Sequence, residues 1–314
     1  MFIKKDPRKI PEILVDKNDK REQMLLARRI DEFEGTTKSL FRTSNLPCFK
    51  NLINLSLYGN KLTELKGIHI LKDSPLEELN LGGNLLSKLP EEFSALQVVT
   101  SLKSIWLDDN CLTSVPEPLF ALNNIVHLRL SGNKIESLSK KIVAWTALET
   151  LALDNNGLKK LPTCIGRLSS LKALILRGNK LKELPEPIGK MKSLNLLHCS
   201  SNELEDIPDF FSGMTSLAKF YGGANKIQRI PVSMATSTSL VQVSLINNRI
   251  SEIDAIVAER WLDENGKPKS GIQLKGNKFL KARAGGASQQ IFSPMKGMAQ
   301  GGAKSSKEKR AKIA

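Results

Sequence analysis

Asparagine recurs along this chain at near-constant intervals: Asn60, Asn84, Asn110, Asn133, Asn156, Asn179, Asn202, Asn225, Asn248 and Asn277. The gaps are 24, 26, six of 23 and then 29 residues. Leucines keep phase with them, as in Leu148-x-x-Leu151-x-Leu153-x-x-Asn156-x-Leu158 and Leu171-x-x-Leu174-x-Leu176-x-x-Asn179-x-Leu181. A unit this short cannot bury its own leucines, so it must stack on its neighbours. That argues against two globular domains and for one elongated stack.

The centre of each unit reads x-Leu-x-Leu-x, a period of two, and so predicts one short strand per unit. Alternate side chains face inward and the ones between them face solvent. The asparagine follows where the chain turns away. Its amide both donates and accepts, so it can satisfy buried backbone groups of that turn, and stacked copies predict a ladder along the molecule. The second half of a unit reads Leu161-Pro162-x-x-Ile165-x-x-Leu168, then Leu184-Pro185-x-x-Ile188 and Ile207-Pro208-x-x-Phe211. Proline also stands at Pro90, Pro116 and Pro231. It fixes φ and donates no hydrogen bond, which suits entry into a short helical or extended return. Three units depart from this, with Lys66, Ser139 and Asp254 in the proline position.

These residues carry the leucine-rich repeat signature. Over residues 40–280 the pattern resembles the intracellular leucine-rich repeat proteins with a 23-residue unit and a Leu-Pro-x-x-Ile return. Those include Ras-pathway scaffold proteins, Ras-suppressor-like proteins and the plant intracellular Ras-group-related repeat proteins. The resemblance implies an α/β fold: a curved solenoid, or horseshoe, with a parallel sheet on its concave face and short returns on its convex face. It also implies a non-enzymatic scaffold or adaptor in signal transduction, and a monomer is expected. Its partner would be a protein, with small GTPases, their kinases and phosphatases as the classes that the relatives suggest.

No apolar run is long enough for a signal peptide or a membrane span. Cys48, Cys111, Cys164 and Cys199 are scattered singly, without the clustered caps of secreted repeat proteins, so a cytoplasmic setting is expected. Cys199 takes a leucine position and reads as a small buried hydrophobe. The formal net charge of +15 is uneven. Residues 281–314 hold eight Lys/Arg and one Glu, or +7, in a stretch rich in Gly, Ser and Lys that predicts disorder. Such a tail is a solvated extension, a nuclear-targeting or charge-docking element, or a nucleic-acid contact. Phe292 is its one aromatic residue, which disfavours base stacking.

An open stack needs its ends covered. Asp19 as a cap, Gly35 as a stop, and Leu26, Ile30 and Phe33 on one face predict a capping helix over residues 19–34. Ile256, Val257, Trp261 and Leu262 predict a second covering helix at the other end. A final strand is expected in Ile272-Gln273-Leu274, with Phe279 closing it.

No catalytic, metal or cofactor constellation stands out. His127 and His198 lie three units apart, roughly 14 Å by strand spacing, too far to share a metal. Cys199 adjoins His198 but alternates to the opposite face. Gly189-Lys190 lacks the remaining residues of a phosphate loop. The candidate site is instead the outward face of the strands. Between the two core leucines the residues run Ser56, Asn80, Trp106, Arg129, Ala152, Ile175, His198, Tyr221, Ser244 and Gln273. The ends are small and polar, the middle mostly large, aromatic or charged, as in binding hot spots. His127, Leu196 and Lys219 flank this column on one side, and Asp108, Asp154 and Arg177 on the other. Trp106, Arg129, Ile175, His198, Tyr221, Asp108, Asp154, Arg177, His127 and Lys219 are therefore the candidate protein-binding residues.

Overall fold

The computed structural model describes residues 51–278, preceded by the backbone of two strands, Glu12–Val15 (β1) and Met24–Arg28 (β2). Ten three- or two-residue strands follow, one per unit. They are Asn54–Ser56 (β3), Glu78–Asn80 (β4), Ser104–Trp106 (β5), His127–Arg129 (β6) and Thr150–Ala152 (β7). Then come Ala173–Ile175 (β8), Leu196–His198 (β9), Lys219–Tyr221 (β10), Gln242–Ser244 (β11) and Ile272–Gln273 (β12). They form one open sheet in sequence order, and every pair from β2 to β12 is parallel. The fold is a leucine-rich repeat solenoid. Its register follows from the period, because a step of 23 residues returns the same position to the same place one strand along. Leu128, Leu151, Leu174 and Leu197 are thus consecutive Cα partners, all fully buried.

The returns are mostly single turns of 3₁₀ helix. Examples are Glu117–Ala121, Thr163–Arg167 and Glu186–Lys190, which begin just after Pro116, Pro162 and Pro185. Where proline is missing, another device starts the turn. Ser139 accepts a hydrogen bond from Lys141 N at 3.2 Å, and Asp254 accepts one from Ile256 N at 2.8 Å. Both are side-chain caps, which satisfy a backbone N–H that the first turn leaves without a partner. Two returns wind as α-helix, Val232–Thr236 (α1) and Ala255–Trp261 (α2).

The core lies between the sheet and these returns. Ile142, Ile165 and Ile188 have no exposed surface and meet the strand leucines from the opposite side. Burying one such side chain contributes roughly 1.5–3 kcal/mol. Trp145 fills the same layer, stacked on Phe120 at 5.1 Å, and its indole N–H donates to Leu119 O at 3.0 Å. That bond removes the cost of burying the indole N–H. Trp261 is 5% exposed and covers the last unit from α2.

From Asn84 onward each ladder asparagine bonds backward to the unit before it. Asn133 Oδ1 accepts Leu112 N at 3.0 Å, and its Nδ2 donates to Leu107 O at 2.9 Å and Leu130 O at 3.0 Å. The same bonds to the preceding unit recur from Asn84 to Asn277. The ladder therefore runs from amide to backbone to amide, with no asparagine touching the next side chain to side chain. Just before each asparagine the chain takes positive φ, at Gly59, Gly83, Asp109, Gly132, Asn155, Gly178, Ser201, Ala224, Asn247 and Gly276. A second left-handed column thus accompanies the visible one.

The N-terminal end departs from expectation. Over residues 24–28 the chain is the strand β2, not part of a capping helix. β2 pairs in parallel with β3, matching Leu25 to Leu55, and antiparallel with β1. The physical reason is the open edge of β3: a paired strand satisfies its N–H and C=O groups, which a helix laid across the end would leave bare. The rest of the expected helix, the tail from residue 281 and Phe279 lie outside the described residues.

Candidate protein-binding face

The column read between the core leucines is a line of true neighbours. Asn80, Trp106, Arg129, Ala152, Ile175, His198 and Tyr221 are successive Cα partners across β4 to β10. Trp106, Ile175, His198 and Tyr221 are half-buried and Arg129 is exposed. Ala152 is 5% exposed because the larger Arg129 and Ile175 stand on either side of it.

Two groupings form on this face. In the first, Arg129 Nε donates to Asp108 Oδ2 at 2.7 Å, and its guanidinium carbon lies 6.0 Å from the centre of the Trp106 ring. That distance is at the limit of a cation–π contact. Asp108 Oδ1 accepts Ser131 N at 2.9 Å. Ser131 Oγ donates onward to Asp154 Oδ2 at 3.2 Å, and Asp154 Oδ1 accepts Arg177 N at 3.1 Å. Burial pushes the Asp108 carboxyl above the usual aspartate value, against the opposing pull of Arg129 and Ser131. In the second grouping the His198 ring meets the Tyr221 ring edge-on at 5.2 Å, and Tyr221 Oη donates to Gln242 Oε1 at 2.8 Å. Burial lowers the His198 pKa, with Asp154 raising it and Arg177 lowering it further.

The structure brings together Trp106, Arg129, Asp108, Asp154 and Arg177, and separately His198 with Tyr221. His127 sits in register between Ser104 and Thr150, and Lys219 between Leu196 and Gln242. Ser131 and Gln242 are the members that sequence reasoning missed. Ser131 was findable, since Asp108, Ser131, Asp154 and Arg177 follow at 23-residue steps in one column. Gln242 was findable by the same step, since Leu196, Lys219 and Gln242 follow one another at 23 residues in the flanking column, and it stands on the diagonal from Tyr221.

Cys199, beside His198, is fully buried and burial pushes its thiol up to about 12, so it is inert packing. Among the described residues no group of three His, Cys, Asp or Glu could hold a metal ion. Nor is any described helix long and apolar enough to cross a membrane.

Comparison with known proteins agrees with this architecture. A Leucine Rich Repeat family model matches residues 75–96. A human protein named Leucine-rich repeats and immunoglobulin-like domains protein 3 is 30% identical over a region covering 29% of this chain and 10% of that protein. A solved leucine-rich repeat protein of Leptospira interrogans superposes with a TM-score of 0.65 at 31% identity, over 73% of this chain and 56% of that one. The repeat ectodomain of the plant membrane receptor kinase GASSHO1/SCHENGEN3 from Arabidopsis thaliana, solved with CASPARIAN STRIP INTEGRITY FACTOR 2, superposes with a TM-score of 0.59 at 27% identity. That match covers 72% of this chain and 27% of the receptor chain. The chain thus spans a tenth of the curated relative and a little over half of the Leptospira protein.

Proposed function

We propose that this chain is a protein-binding scaffold or adaptor that engages its partner across the face of β5 to β10 and carries out no chemistry itself. The fold supports protein–protein interaction in general. The observation that carries the assignment to this face is the bonded array of Trp106, Arg129, Asp108, Ser131 and Asp154 beside the His198–Tyr221 pair. Tryptophan and tyrosine are costly to leave in water, and with arginine they dominate binding energy when a partner covers them. Placement in intracellular signalling with a small-GTPase-type partner rests on the resemblance to the Ras-group repeat proteins. Free Cys111, Cys164 and Cys199 fit a reducing compartment.

The test is affinity purification from native cells with the wild-type chain and a Trp106→Ala/Arg129→Ala variant. Alanine at 129 is preferred to glutamate, which would set two carboxylates against each other beside Asp108. Proteins recovered by the wild type alone would identify the partner and support the face. Equal recovery would overturn the assignment. A third arm removes residues 284–314. Loss of recovery in that arm alone, at low salt, would favour the alternative in which the basic tail docks on nucleic acid, acidic membrane or a larger complex.

A further inference from the structure

The charges of this face are not balanced in what they offer to a partner. Both of its central carboxylates are committed. Asp108 accepts from Arg129 Nε and Ser131 N, and its side chain is only 15% exposed. Asp154 accepts from Ser131 Oγ and Arg177 N. The cations point the other way. Arg129 keeps 53% of its side chain exposed although Asp108 holds its Nε, which leaves its terminal nitrogens outward. Arg177 and Lys219 are exposed and form no ion pair among the described residues. Lys172, on the same side, is neutralised by Glu149 at 2.7 Å. Glu77 and Glu78 lie at the far N-terminal end of the face, and exposed Asp109 sits on its rim in the left-handed turn. From β6 to β10 the groups left for a partner are therefore Arg129, Arg177 and Lys219, with His198 between the last two and His127 beside Arg129 on β6.

Resting on the reading that this face binds protein, we infer that its partner presents an acidic segment lying across strands β6 to β10. Arg129 and Lys219 stand on β6 and β10, and Arg177 follows the end of β8. Each step crosses two strand intervals, but Arg177 lies two places beyond the register of Arg129 and Lys219 four places short of that of Arg177, so the steps are about 12 and 16 Å. An extended chain covers them in about four and five residues, so the segment recognised carries carboxylates roughly four to five residues apart. Its intervening apolar side chains lie against Trp106, Ile175 and Tyr221, and over Ala152, where the column is lowest. A guanidinium grips a carboxylate in two parallel hydrogen bonds, so Arg129 and Arg177 set the position and Lys219 adds a point charge.

The test uses the full chain and three labelled 15-residue peptides with Leu and Tyr in common. They differ only in carrying Glu, Ser or Lys at three positions set about four and five residues apart. The Glu peptide should bind at least tenfold tighter than the other two, and more weakly as salt is raised. Arg177→Glu/Lys219→Glu should cut that affinity at least tenfold. Both side chains are exposed and form no ion pair among the described residues, but a carboxylate at 177 stands near Asp154. Arg177→Gln/Lys219→Gln is therefore measured beside it and should melt with the wild type while also losing affinity. Arg177→Lys should recover part of the affinity.

Preference for the Ser or Lys peptide, binding to none, or binding only when the Ser positions are phosphorylated would overturn the inference. So would a Glu-peptide affinity untouched by the double reversal but abolished by removing residues 284–314. The two readings separate in partner capture. A partner lost with Trp106→Ala/Arg129→Ala yet kept by Arg177→Glu/Lys219→Glu would leave the face in place and refute the acidic segment. A partner kept by both variants would refute both.

Discussion

The ring of Phe220 occupies the space that a leucine side chain would take at Gly222. A Cβ built on Gly222 would stand 2.8 Å from Phe220 Cε1 and 3.2 Å from Leu245 Cδ2. The other described units place a large apolar side chain at both core positions of the strand, except the one before it, where Cys199 takes the second. This unit moves it to one, and Phe220 packs edge-on against Phe211 at 5.4 Å.

Gly222→Leu should therefore destabilise the protein by about 1–3 kcal/mol through overpacking, although leucine is the repeat's usual residue there. Phe220→Leu/Gly222→Leu restores the common pattern and should recover most of that loss. Denaturant unfolding of the two singles and the double gives the coupling. Additive losses would show that the ring does not fill the site.

Asn110→Ala removes an acceptor from Leu86 N and donors to Leu81 O and Leu107 O. All of these bonds are buried, so the expected cost is about 1–3 kcal/mol. Asn156 makes equivalent bonds but is half-buried, and water can replace part of them, so Asn156→Ala should cost less. Melting curves of both variants give the order; equal losses, or none, would refute the ladder's role.

Ala224 holds φ at +54°, in the left-handed column before Asn225. An alanine there carries strain of roughly 1–2 kcal/mol from its Cβ. Glycine removes it but gains freedom in the unfolded chain, which offsets roughly 0.5–1 kcal/mol. Ala224→Gly should be neutral to stabilising, by up to about 1 kcal/mol. The same change at Ala152, in a strand, should destabilise. Chemical denaturation decides; a clear loss at 224 would contradict the stated geometry.

Asp108 titrates above the ordinary aspartate value because it is buried, while Arg129 pulls it down. Arg129→Ala should therefore raise it further, as measured by NMR of the carboxyl carbon over an acid titration. The sign for stability follows. A carboxyl whose folded pKa is raised favours the fold below its unfolded value, and that contribution is lost as pH rises through the folded value. Asp108→Asn should remove this acid-side contribution. A downward shift in the Arg129→Ala variant would refute the pairing.

The protein's sequence determined the repeat, the strand positions, the order of residues along the outward face of the strands and the places of the asparagines. A 23-residue step and a two-residue alternation translate directly into which positions stack and which face they take. It did not determine what side chains do once stacked. Asp108 and Asp154 read as surface charges on a column. Only the folded chain shows them turned onto Ser131 and Arg177, because these bonds link residues 23 apart whose orientation depends on neighbours above and below. The left-handed column has no sequence mark, because glycine, aspartate, asparagine, serine and alanine share it and no single residue type defines it. The stretch Met24–Ala27 fits a helix or a strand by composition alone. The exposed edge of β3 decides for a strand, since unpaired backbone groups gain more from a neighbouring strand than from a helix packed over them.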